Sequence, residues 1–135
     1  MMPQDDGMAW FKNVVKRFPR LYRATVYIFG GQPQNTSASM FVHRLPADAK
    51  IINVGSGSRR LREGSINVDI IKFEGVDVVA DAEALPFDSN SVDAVVCDNV
   101  LEHTPRPEKI LDEIERILKP GGLVYIAVPF IIPFH

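Results

Sequence analysis

An α/β fold, a doubly wound parallel sheet of about five strands with a short N-terminal helical cap, is predicted by three features of this 135-residue sequence. Five short, β-branched and nearly unbroken apolar runs end on glycine or an acid, the pattern of strands buried on both faces. A single amphipathic helix lies between the fourth and fifth runs. The composition, 46% hydrophobic and 24% charged, suits one core and excludes disorder.

The elements follow in order. Residues 1–7 read as a frayed start. From Ala9 to Phe18, the residues Trp10, Phe11, Val14, Val15 and Phe18 recur at helical spacing, with Lys12, Lys16 and Arg17 between them. Pro19 ends or kinks that helix. A second apolar and basic segment, Leu21 to Phe29, stops at Gly30-Gly31, and residues 32–39 (QPQNTSAS) have the composition of a loop. Residues 1–47 therefore form a helical cap and loop, and residues 48–135 the core.

The five runs are Ile51–Val54, Ile66–Asp69, Val76–Ala80, Val92–Cys97 and Leu123–Val128. Between the last two, Ile110, Leu111, Ile114, Ile117 and Leu118 form one apolar stripe. Thr104 and Pro105 suit an N-cap and first turn, and Asp112–Arg116 and Glu115–Lys119 suit i,i+4 pairs. Lys119-Pro120-Gly121-Gly122 stops the helix and returns the chain to the sheet, completing a βαβ unit.

Charge is uneven. Residues 1–50 carry seven basic and three acidic side chains, and residues 51–135 carry eight and fourteen. No nucleic-acid partner is expected from that balance. The single cysteine, Cys97, reads as core, excludes a thiolate cluster and fits a reducing, cytoplasmic setting; no metal site is predicted. The longest apolar run, Leu123–Phe134, is broken by Pro129 and falls short of the roughly 20 residues a membrane span needs. The N-terminus lacks the uninterrupted apolar stretch of a secretory signal.

Ligands of open α/β sheets bind at the carboxyl ends of the strands. After the first run come Gly55-Ser56-Gly57-Ser58, where small residues admit a ligand close to the backbone. Asp69 closes the second, an acceptor suited to a ribose diol. Asp81-Ala82 follow the third, and Asp98, Asn99, Glu102 and His103 the fourth. A nicotinamide site fits poorly, because Arg60 occupies the third-glycine position and Asp69 follows Gly57 too soon. No Gly-Lys-Ser/Thr follows the turn, which excludes a P-loop.

The stretches IINVGSGS, INVDI, VVADAEALPF, SVDAVVCDNVLEH and ERILKPGGLVYIAVP, in that order, resemble the class I S-adenosylmethionine-dependent methyltransferases, most closely the subgroup with D-x-x-x-LPF and LEH motifs. The resemblance spans residues 48–133 and implies a Rossmann-like fold that binds S-adenosyl-L-methionine and releases S-adenosyl-L-homocysteine. It implies that Gly55, Ser56 and Gly57 line the methionine part of the cofactor and that Asp69 binds the ribose, with Ile70 beside the adenine. Asp81 and Ala82 would hold the adenine edge, and Asn99 would close the methionine end. Asn53 stands where most members carry an acid that helps hold the cofactor's amino group, and Arg59 where a third glycine is usual. The first crossover leaves room for a turn or so of helix between Ser58 and Gly64.

Methyl transfer is an in-line displacement, so alignment does most of the work and a base is needed only if the acceptor loses a proton. His103 is the candidate base, with a structural histidine at a helix entry as the competing reading. The expected acceptor is a small molecule or a saccharide-linked intermediate; the competing function is a non-catalytic binding or scaffold module. The basic N-terminal segment is read chiefly as a cap over the crevice, and residues 9–29 also suit a peripheral membrane contact. The family's sheet has seven strands against five here. The reading therefore expects a C-terminally short chain, either a fragment or a homodimer that buries the exposed edge of the last strand.

Overall fold

Parallel pairing organises the chain. The computed structural model describes residues 13, 14, 16–18, 26–29 and 36–128. The elements are β1 (Val26–Phe29), α1 (Thr36–His43), β2 (Ile51–Val54), β3 (Ile66–Asp69), β4 (Val78–Val79), β5 (Val92–Asp98), a 3₁₀ turn (Leu101–His103), α2 (Pro107–Ile117) and β6 (Leu118–Ala127). They form one six-stranded sheet of order β1-β6-β5-β2-β3-β4 in which every neighbouring pair is parallel. The expected strands are all present, and the Rossmann-like α/β architecture with them. β2 and β3 match their predicted bounds; β4 is shorter, β5 gains Asp98, and β6 begins earlier.

Side-chain alternation sorts the core onto two faces. Ile52 and Val54 of β2, Val95 and Cys97 of β5, and Val124 and Ile126 of β6 pack with Ile110, Leu111, Ile114 and Ile117 of α2. Ile51, Ala94, Val96, Tyr125 and Ala127 pack with Ala38, Phe41 and Val42 of α1. The Phe41 and Tyr125 rings stand 5.7 Å apart, tilted by 37°.

The structure corrects several local expectations. Val26–Phe29, read as part of a cap, is a strand whose partner is β6. The β6 edge expected to lie bare is therefore paired. Thr36–Ser39, read as loop, opens α1. Pro107 rather than Pro105 stands at the start of α2, with Arg106 as N-cap, while Thr104 Oγ1 accepts the Arg106 N–H at 3.2 Å. Lys119–Gly122 does not end the helix; it bulges within β6, between Leu118 paired with Val92 and Leu123 paired with Ala94. Lys119 reaches Asp93 (3.0 Å) rather than Glu115. Residues 55–65 form turns and bends, with no helix in the first crossover.

Of the N-terminal helix expected over 9–18, residues 13, 14 and 16 are helical, and Val14 and Phe18 are buried members of the core cluster that also holds α2. Trp10, Phe11 and Lys12 lie outside the described residues. Among the described residues, no helix is long and apolar enough to cross a membrane.

One polar device ties α2 to the loop after β4. Arg116, expected to pair with Asp112, instead binds Glu113 (Nε–Oε1 2.8 Å) and donates to the carbonyls of Leu85 (2.9 Å) and Phe87 (2.7 Å). Glu113 Oε2 accepts the Leu85 N–H at 2.7 Å. The Arg116 hydrogen bonds, with help from the Leu85 amide and against partial burial, hold the Glu113 carboxyl below its ordinary value of 4.5. A depressed carboxyl stabilises the fold above the unfolded-state value and loses that contribution as pH falls through the folded-state one. Glu113→Gln is expected to cost about 1–2 kcal/mol at pH 7, the range for charge-assisted bonds discounted for exposure. Urea denaturation at several pH values should show that difference shrinking once pH falls below 4.5.

Candidate functional site

The strand order reverses between β2 and β5, because β3 and β4 extend the sheet one way and β6 and β1 the other. A crevice is expected outside the carboxyl ends at such a point. A cavity of about 390 Å³ lies there, lined from four strand ends: Val54 and Gly55, Val68 to Ile70, Ala80 to Glu83, and Asn99 with Val100. His103, Thr104, Pro105 and Ile110 complete it. The volume falls in the range of small-ligand pockets.

Two sharp exits open the crevice. Gly55 leaves β2 at φ +65°, and Asn99 leaves β5 at φ +57°. Left-handed backbone costs an ordinary residue roughly 1–2 kcal/mol. At position 55 there is a second constraint, since a Cβ would run into Val100 Cγ2. Glycine is required there for both reasons.

Gly55, Asp69, Asp81, Ala82, Asn99 and His103 thus meet around one space, as the strand-end argument expects, and Ile70, which the resemblance adds, lies with them. Asp69 is fixed at the tip of β3: Oδ2 accepts the Gly57 N–H (2.8 Å) and Oδ1 the Ile71 N–H (3.0 Å). Each oxygen retains a lone pair for a ligand. Asp81 Oδ1 accepts the Glu83 N–H at 2.9 Å, which shapes the turn after β4. Ile70 is 65% exposed, an apolar side chain at the cavity with its outer face open.

Three predicted site residues lie outside this lining. Asn53 is 4% exposed, and its amide donates to Arg59 O (3.3 Å) and Asn67 Oδ1 (3.4 Å). The Ser56 N–H donates to Val68 O (3.1 Å), and that of Gly57 to Asp69. His103 sits at the rim, its side chain 78% exposed and Nε2 3.6 Å from Glu102 Oε1. Cys97 is fully buried, and burial pushes its thiol up to about 12, so it stays protonated as a core side chain.

Residues missed in the sequence include Glu83, Thr104 and Pro105. Arg106 Nη2 binds Glu83 Oε2 at 2.8 Å, bridging the loop after β4 to the start of α2 along the cavity rim. Nothing in the local sequence marks Glu83, because its partner is 23 positions away. Val54, Val100 and Ile110 were legible as apolar residues, but not as walls shared by core and cavity.

The methyltransferase-domain family matches residues 53–126, more than half of the chain and every strand tip that builds the cavity. The chain belongs to this family. An uncharacterized methyltransferase of Mycobacterium tuberculosis is 47% identical over 53 residues, covering 39% of this chain and 21% of its own length. The demethylmenaquinone methyltransferase of Clavibacter sepedonicus is 44% identical over 69 residues, covering 48% and 28%. Among solved structures, a SAM-dependent methyltransferase of Thermotoga maritima superposes with a TM-score of 0.57 at 25% identity, covering 87% of this chain and 57% of that one. The matched segments therefore span between about a fifth and somewhat over half of these relatives.

The Gly55 constraint is testable. Gly55→Ala should destabilise this methyltransferase domain by about 1–3 kcal/mol in denaturant titrations, from left-handed strain plus the Val100 collision. Adding Val100→Ala should recover only the collision part. Full additivity of the two losses would show that the contact is not the reason for the glycine.

Proposed function

We propose that this domain binds S-adenosyl-L-methionine in the cavity at the β2/β5 reversal and transfers its methyl group to a small-molecule or saccharide-type acceptor. The observation that carries the reading is the position of Asp69. It is a carboxylate fixed by two backbone amides at the tip of β3, beside a slot walled by Val68, Ile70, Ala80 and Ala82. A nucleoside needs that combination: acceptors for a ribose diol next to apolar walls for a flat base.

The residues divide the work. Asp69 receives the ribose hydroxyls, and Ile70 covers one side of the adenine. Asp81 and Ala82 meet the adenine edge, and Gly55 leaves the space that a side chain would fill. Asn99 lies toward the methionine end. When bound, the cofactor supplies a sulfonium-activated methyl that is displaced in line. The protein's task is then alignment and exclusion of water. His103, exposed at the rim, is placed to take a proton from an acceptor entering from solvent. The demethylmenaquinone enzyme among the relatives acts on a small molecule, which agrees with the class of acceptor proposed.

Calorimetric titration with S-adenosylhomocysteine tests the reading. Micromolar binding is expected, and no binding at millimolar ligand would overturn it. Asp69→Ala should weaken binding roughly 100-fold, the loss of two hydrogen bonds to a charged acceptor. An unchanged affinity would mean that the ribose lies elsewhere.

A further inference from the structure

The lining of the cavity is unequally held. Val54, Val68 and Ile110 belong to the core cluster, and Asp69 is fixed by two backbone amides. The loop after β4 is firm as well, because the Glu113–Arg116 pair grips it at Leu85 and Phe87. Facing that loop is the short segment between the 3₁₀ turn and α2, which brings Thr104 and Pro105 to the rim beside His103. The His103 side chain is largely exposed there, and α2 starts from Arg106 without a side-chain capping bond.

Glu83 joins the two sides. Its N–H donates to Asp81 Oδ1 at 2.9 Å, which sets it on the firm side. Its carboxylate crosses to the other, where Oε2 meets Arg106 Nη2 at 2.8 Å and Oε1 accepts from Thr104 Oγ1 at 3.5 Å. Thr104 Oγ1 in turn accepts the Arg106 N–H at 3.2 Å, so the three residues close on one another. The Glu83 side chain is 16% exposed, but that of Arg106 is 61% exposed. An ion pair with one partner so open to water adds little to stability. The fold has its brace in the Glu113–Arg116 pair, and the Glu83 clasp is weak enough to open and close at the rim.

We propose that Glu83 is a positioning residue that, through Arg106 and Thr104, holds the rim closed over the bound cofactor and sets how fast cofactor and product exchange. The proposal rests on the S-adenosylmethionine reading above and adds to it a control of turnover, because product release limits many enzymes. In that reading the clasp contributes no ligand contact. It therefore stabilises the closed rim equally with the cavity empty or filled. Loosening it speeds entry and exit together and leaves the equilibrium affinity where it was.

The experiment is surface plasmon resonance with S-adenosylhomocysteine over the immobilised full chain, read as association rate, dissociation rate and Kd. Glu83→Gln removes the charge at nearly constant volume. It should raise both rates about three- to fivefold, the scale of an exposed ion pair, and keep Kd within roughly twofold. Arg106→Met should do the same from the exposed side of the clasp, and it carries the test if Glu83→Gln fails to fold. Reversing the pair, Glu83→Arg with Arg106→Glu, should bring both rates back toward those of the unsubstituted chain. Added salt should speed exchange in the unsubstituted chain and leave Glu83→Gln unchanged. Unaltered rates in the single variants would overturn the proposal. So would a dissociation rate and Kd that rise together at constant association rate, which is what a ligand contact or a brace of the bound state gives. Failure of the unsubstituted chain to bind S-adenosylhomocysteine would instead overturn the cofactor reading itself.

Discussion

The adjacency of β2 and β5 is the constraint from which the site follows. These two parallel strands are neighbours in space, yet the chain leaves their tips toward opposite edges of the sheet. Each exit must turn at once, and the backbone does so through left-handed residues, Gly55 and Asn99. Val100, carried round by the Asn99 turn, then packs where a side chain at position 55 would stand. The crevice is thus a product of topology before it is a product of side-chain chemistry. Polar groups such as Asp69 and Asp81 then take their places around a space that the sheet has already opened.

The same residues serve stability and site. Val54, Val68 and Ile110 belong to the core cluster and also wall the cavity, so the apolar slot is the upper surface of the core itself. The helix that buries Ile110, Leu111, Ile114 and Ile117 also carries the Glu113–Arg116 pair. Through Leu85 and Phe87, that pair fixes the loop running on from Asp81 and Ala82. A group whose hydrogen bonds reach two carbonyls and a carboxylate holds this loop more firmly than a single exposed i,i+4 partner could hold α2. This is why Arg116 turns away from Asp112, which remains exposed.

How much was legible follows from how local each signal is. β2 and β3 could be read to the residue because their apolar runs are closed by Gly55 and Asp69, and the α2 stripe is a purely local periodicity. The strand-end argument then named six of the residues that line the cavity, Gly55, Asp69, Asp81, Ala82, Asn99 and His103, without any knowledge of distances. β1 was missed because four residues within a basic segment become a strand only through β6, far along the chain. In α1, polar residues dominate the first turn and the buried Ala38, Phe41 and Val42 make too short a stripe to see. The Lys119–Gly122 stretch has the composition of a helix stop, but its conformation is set across the sheet. Its Lys119 Nζ reaches Asp93 at 3.0 Å, and the Lys50 N–H meets the same carboxylate at 2.7 Å.

Asn53 and Arg59, the two positions that the resemblance sets apart, meet at one carbonyl. The first crossover contains no helix, so no intrahelical bond satisfies the carbonyl of Arg59. Two side-chain amides do so instead, from Asn53 on β2 and Asn67 on β3, whose positions are paired across the sheet. Asn67 also donates to Gly75 O at 3.0 Å, drawing the approach to β4 into the same network. An acid at position 53 would be 4% exposed, could donate nothing when ionised, and would face the Asn67 oxygen and the Arg59 carbonyl as a buried charge. Asparagine supplies the donor that the short loop demands. With the loop pinned by its carbonyl, the residue at 59 is released from the turn geometry that favours glycine, and it can carry a side chain toward Asp98. The helix-free crossover, the buried amide at 53 and the side chain at 59 are therefore linked through one backbone carbonyl.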